Sequence, residues 1–73
     1  MQEILRTTQL HHVMQEVGHA KIDGWSINLM DGQLWLVNPY GLDCGVLSLS
    51  EEGCASVLLR IKSDTNEREW GTL

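Results

Sequence analysis

The sequence predicts a small α+β domain: one N-terminal helix packed on a four- to five-stranded antiparallel β-meander. Three observations carry that expectation. An apolar stripe of helical period opens the chain, the period switches to two after Gly24, and turn signatures recur between the alternating runs. At 73 residues there is room for one domain spanning residues 1–73, and a composition 42% apolar and 21% charged is that of a globular chain.

The helix comes first. Leu10, Val13, Met14 and Val17 follow the i, i+3, i+4, i+7 spacing of one helical face. Thr7 or Thr8 is placed to cap its start, and Gly18 sits where a C′ glycine ends a helix. Ile4 and Leu5 are out of phase with the stripe and belong either to a separate first turn or to a short extended arm.

The first hairpin is the sharpest local signal. Trp25, Ile27 and Leu29 alternate with Ser26, Asn28 and Met30, then Asp31-Gly32 makes a two-residue turn into Gln33 to Val37. That loop pairs Leu29 with Leu34 and Ile27 with Leu36 on one face. The other face then carries Met30, Gln33, Asn28, Trp35, Ser26 and Val37.

Asn38-Pro39-Tyr40-Gly41 reads as a turn, since Asn suits its first position and Pro presets φ at the second. A third strand runs from about Cys44 to Ser50. Glu51-Glu52-Gly53 fits a three-residue hairpin loop into a fourth strand at residues 54–62. That register pairs Ser50 with Cys54 and Val46 with Leu58 on one face, and Leu47 with Val57 and Gly45 with Leu59 on the other. The rival is a helix from Cys54 to Lys62 capped by Ser50, because Val57, Leu58, Leu59 and Ile61 fit both periods. Asp64-Thr65-Asn66 is a further turn. It leads either to a fifth strand at Glu67–Thr72, with Lys62 opposite Glu69 and Ile61 opposite Trp70, or to a frayed tail.

In this arrangement Trp25, Ile27, Leu29, Leu34, Leu36, Leu47, Leu49, Val57, Leu59 and Ile61 form the core face under the helix. The opposite face gathers Trp35, Val37, Val46 and Leu58, rimmed by polar residues. A sheet face meant only for water would alternate more cleanly. Scattered exposed apolar residues are ordinary, but four that converge, one of them a tryptophan, are worth several kcal/mol if shielded, at roughly 25 cal/mol per Å2. The Asn38-Pro39-Tyr40-Gly41 turn either presents Tyr40 to a partner or is a plain turn with the ring packed, and the plain turn is the stronger expectation. The expected partner-binding residues are therefore Trp35, Val37, Val46, Leu58 and Tyr40.

Charge and motifs narrow the classes. Ten acidic residues against five basic ones give a net charge of −5, too little positive charge to grip a phosphate backbone, so direct nucleic-acid binding is not expected. No apolar run approaches the ~20 residues of a membrane span and no signal-peptide h-region is present, so the expectation is a cytoplasmic protein with reduced thiols. The strand register holds Cys44 and Cys54 about 20 Å apart or more, beyond disulfide reach.

His12 and His19 share a helical side two turns apart, too far for one ion, and His11 points elsewhere. H-E-x-x-H, C-x-x-C, G-x-S-x-G and phosphate-loop motifs are all missing. No metal, cofactor or catalytic residue is expected. Glu51-Glu52 reads as solvated turn charge, and Trp70 as either a lid over the core or an exposed anchor.

These readings point to a non-enzymatic protein-interaction or assembly module, a homodimer using the apolar sheet face, or a module that docks a client protein there. The chain type suits a bacterial or phage accessory protein. The alternative is an acidic inhibitor occupying a basic site on a nucleic-acid-handling protein, which requires carboxylates gathered on one surface. An enzyme or small-molecule binder would need a pocket of roughly 300 Å3 or more, for which a two-layer domain this short has little space.

Overall fold

The computed structural model describes residues 5–71, including their side chains except those of Cys44 and residues 68–71. The elements run α1 (Thr7–Val17), β1 (His19–Ile22), β2 (Trp25–Met30), β3 (Gln33–Val37), β4 (Asp43–Ser48) and α2 (Glu51–Gly71). The four strands form one antiparallel meander in the order β1-β2-β3-β4.

Helix α1 forms on its apolar stripe, with Leu10 and Met14 fully buried, Val13 half-buried and Val17 out in solvent. Its cap is neither Thr7 nor Thr8, which are already helical. Arg6 is the N-cap, in extended conformation, and its amide donates to the Gln9 Oε1 at 3.0 Å. The threonine hydroxyls thus lose to a glutamine three residues beyond the cap, the reciprocal half of a capping box. Gly18 closes the helix as expected, left-handed at φ 74°, with its amide donating to the Met14 carbonyl.

The chain then enters a strand that the apolar pattern does not announce. His19-Ala20-Lys21-Ile22 buries only Ile22 and pairs Ile22 with Trp25 and Lys21 with Ser26. Its turn, Asp23-Gly24, is a second copy of the Asp31-Gly32 signal. Both aspartates adopt positive φ, 50° and 52°, and both glycines follow at 86° and 73°. Two successive positive φ values define the tight hairpin turn whose twist matches the strands, which is why Asp-Gly is selected twice.

The register of β2 and β3 is the expected one, pairing Leu29 with Leu34, Ile27 with Leu36 and Asn28 with Trp35. The turn at Asn38 is likewise present. The Asn38 Oδ1 accepts from the amides of Tyr40 and Leu42 at 3.0 and 2.9 Å, and Gly41 N–H donates to the Asn38 carbonyl. Strand β4 pairs Leu34 with Leu47 and Trp35 with Val46. Its register then shifts, so that Leu36 opposes Gly45 while Val37 opposes Asp43. Cys44 is the extra residue of a bulge, the usual way to bend an edge strand.

The largest correction concerns residues 51–71. They form one helix, not a fourth and fifth strand, so the pairs of Ser50 with Cys54, Val46 with Leu58, Lys62 with Glu69 and Ile61 with Trp70 do not exist. Cys54, Val57, Leu58 and Ile61 are buried at i, i+3, i+4 and i+7, while Leu59 is 70% exposed. The assignment of Leu58 to the outer face and Leu59 to the core is therefore reversed. Three features tip an ambiguous apolar run to the helical side. The Ser50 Oγ accepts from Gly53 N–H at 3.0 Å, so Ser50 is the helix cap. Glu51 and Glu52 complement the positive end of the helix. Gly53 is buried where a Cβ would collide with the Ser48 carbonyl oxygen, so the glycine serves close packing of α2 on β4 and makes no loop.

Leu58 and Leu59 separate helix from strand experimentally. Leu58→Ala is expected to cost about 2–4 kcal/mol in denaturant unfolding, and Leu59→Ala less than about 0.5 kcal/mol. Equal costs, or the reverse order, would overturn the helical phase.

Candidate interaction face

Both helices pack on the same side of the sheet. Leu10 and Met14 from α1 and Cys54, Val57, Leu58 and Ile61 from α2 meet Ile22, Trp25, Ile27, Leu34 and Leu36 from the strands, with Leu29, Leu47 and Leu49 half-buried at the margin. The side chains that alternate away from this core emerge on a face that no described element covers. Cross-strand pairing arranges them in rows: His19, Asn28, Trp35 and Val46 in one, and Lys21, Ser26, Val37 and Asp43 in the next. Met30, Gln33 and Ser48 form a third.

Trp35, Val46 and Met30 are 37%, 43% and 55% exposed, and Val37 is half-buried. Trp35 and Val46 are direct cross-strand neighbours, about 4.5–5.5 Å apart at Cβ for such a pair. Tyr40 and Leu42, in the β3–β4 loop, are both largely exposed. Of the five residues expected here, Trp35, Val37 and Val46 share the face, and Tyr40 is exposed in the loop that follows β3. Leu58 does not belong, because α2 carries it into the core on the far side of the sheet. Lys21 and Leu42 were not foreseen. The second Asp-Gly pair was the signal for Lys21, since it sets the phase of the strand before it.

The helix side carries a different feature. The Trp25 Nε1–H donates to Asp64 Oδ2 at 3.0 Å, and the Thr65 hydroxyl donates to Asp23 Oδ2 at 3.1 Å. Both bonds tie the middle of α2 to the β1–β2 turn. Beside them lies an open groove of about 560 Å3 lined by Trp25, Asn38, Ser56, Leu59, Arg60 and Asp64. The monomer thus has more concave space than its two-layer build leads one to expect. Two of its polar groups are engaged within the fold: the Trp25 N–H donates to Asp64, and the Asn38 side-chain oxygen accepts from two loop amides. Those bonds make the Trp25 side of the groove a structural seam.

Cys54 is a free, buried thiol. Burial pushes it above the ordinary thiol range, and the nearby Glu51 carboxylate adds to the shift. The thiol is not held from Cys44 by a strand hairpin, as the sequence reading had it, but is buried on α2. Cys44 and Trp70 have side chains outside the described residues. His11 is half-buried and His12 and His19 are exposed; among the described residues no three His, Cys, Asp or Glu side chains gather as a metal site would require. Among those residues, no helix is long and apolar enough to cross a membrane.

Asp64→Ala leaves the nearly buried Trp25 N–H without this acceptor and should cost about 1–3 kcal/mol in unfolding measurements. A neutral result would mean the bond contributes nothing to holding α2. Because the folded state holds the Cys54 proton more tightly than the unfolded chain, stability is fully present below the unfolded thiol pKa and falls as pH rises through the folded value. Unfolding monitored above about pH 9 should show that loss, and Cys54→Ala should diminish it. Comparison with protein-family models, with curated proteins and with solved structures finds no match to this chain.

Proposed function

We propose that this chain is a non-enzymatic assembly module that self-associates through the open face of its sheet. One observation carries the reading: α1 and α2 share a single sheet face, which leaves the indole of Trp35 beside Val46 in solvent on the other. Shielding that pair together with Met30 and Val37 contributes several kcal/mol at roughly 25 cal/mol per Å2. A domain of this size has only about 5 kcal/mol or so of stability of its own, so subunit contact is a natural supplement.

The interface is small. Four strands spaced ~4.8 Å apart and about 17 Å long present a footprint of roughly 300 Å2 in projection. Such a contact falls among weak, transient interfaces, and the dissociation constant belongs in the micromolar range or above.

The acidic-inhibitor reading draws less support. Among the described residues, Asp31, Glu51 and Glu52 lie at the β2–β3 end of the fold, where Leu49 N–H meets the Gly32 carbonyl. Asp23, Asp43, Asp64 and Glu67 lie at the other, where α2 meets the β1–β2 turn, and Glu16 lies on α1. Carboxylates divided between two ends do not make one anionic surface.

Sedimentation velocity over about 1–500 μM, bracketing the micromolar range, should show mass rising toward the dimer. Trp35→Lys should weaken association at least about tenfold with the circular dichroism spectrum unchanged, since it places a charge in the contact centre. A chain that stays monomeric throughout that range removes the reading.

A further inference from the structure

We infer that the two copies stack sheet on sheet about a twofold axis running along the strands, so that Lys21 of each copy pairs with Asp43 of the other. The inference rests on the self-association just proposed and adds its orientation and register.

Among the described residues, Lys21 and Asp43 are the charged side chains that the strands place on this face, and both are exposed. They occupy the two edge strands. They also stand in the same row, because Lys21 opposes Ser26, Ser26 opposes Val37, and Val37 opposes Asp43. Their charges cancel, so the strand residues of this face add nothing to the net charge of −5, and the face is self-complementary.

Symmetry then selects the arrangement. A closed dimer is isologous: if Lys21 meets Asp43 of the partner, the partner's Lys21 meets Asp43 in return. Turning one sheet over about an axis parallel to the strands, between β2 and β3, lays β1 of each copy over β4 of the other and keeps every row at its own height. Lys21 and Asp43 then face each other at both rims, His19 faces Val46, and Trp35 lies over Asn28. An axis across the strands would instead lay β1 over β1 and invert the rows, leaving both charges unmatched. Stacked sheets sit ~10 Å apart, and the long lysine stem can span most of that gap to an aspartate. The roughly −30° rotation usual for aligned sheets shifts the rims by only a few ångströms, within the reach of a flexible side chain.

Charge reversal tests the register in the full chain. K21D and D43K each place like charges opposite one another twice per homodimer, and each should weaken association about tenfold relative to the parent. An equimolar mixture of K21D and D43K restores opposite charges at both rims, so it should form a heterodimer with close to parental affinity. The double variant K21D/D43K should dimerise alone. All positions are exposed, and circular dichroism verifies folding of each variant.

A mixture no tighter than its components, or single variants that associate like the parent, would sink the register while a Trp35-sensitive parental dimer keeps the self-association reading. A parent that never dimerises removes both.

Discussion

Strand phase governs this molecule. Two Asp-Gly turns, each with consecutive residues at positive φ, hold β1, β2 and β3 in a register that places Ile22, Trp25, Ile27, Leu34 and Leu36 on one side. Side chains alternate with a period of two, so a slip of one residue in β3 would carry Leu34 and Leu36 into water and bring Trp35 inside. Everything described on the open face is the complement of that choice.

Helix α2 completes the enclosure from the same side and is fastened at separated points. At its start, Ser50 caps the first turn and Gly53 lets the helix lie directly against the Ser48 carbonyl. Farther along, Asp64 and Thr65 reach the Trp25 indole and Asp23 in the β1–β2 turn. A hairpin in this segment would extend the sheet and leave α1 alone to cover it. A second helix instead supplies Cys54, Val57, Leu58 and Ile61 to a core that needs cover more than it needs breadth. The consequence for function is indirect and strong: with both helices committed to one face, the other has no cover from within the described chain.

The open face joins low charge with moderate apolarity, an unusual balance for a chain with twice as many acidic as basic residues. Among the described residues every carboxylate except that of Asp43 lies on a turn or helix, which in the proposed dimer would keep like charges from meeting across the contact. In that proposed dimer, Lys21 and Asp43 at opposite edges would add direction to what apolar contact alone leaves rotationally free.

The residues by themselves determined the helical stripe of Leu10 and Met14, its glycine stop, the β2–β3 hairpin to the residue, the Asn38 turn and the exposure of Trp35 and Val46. Each of these rests on contacts between near neighbours: an i, i+4 face, a two-residue turn, an asparagine bonding its own loop. What only the tertiary structure decided lies where local signals balance. Val57 to Ile61 satisfies both periods, so burial of Leu58 and exposure of Leu59 follow from where α2 docks on the sheet. Gly53 looks like a loop glycine until Ser48 is seen beside it. Strand β1 has a single buried apolar residue and becomes a strand because β2 offers it an edge, and that pairing is what brings Lys21 onto the face opposite the core.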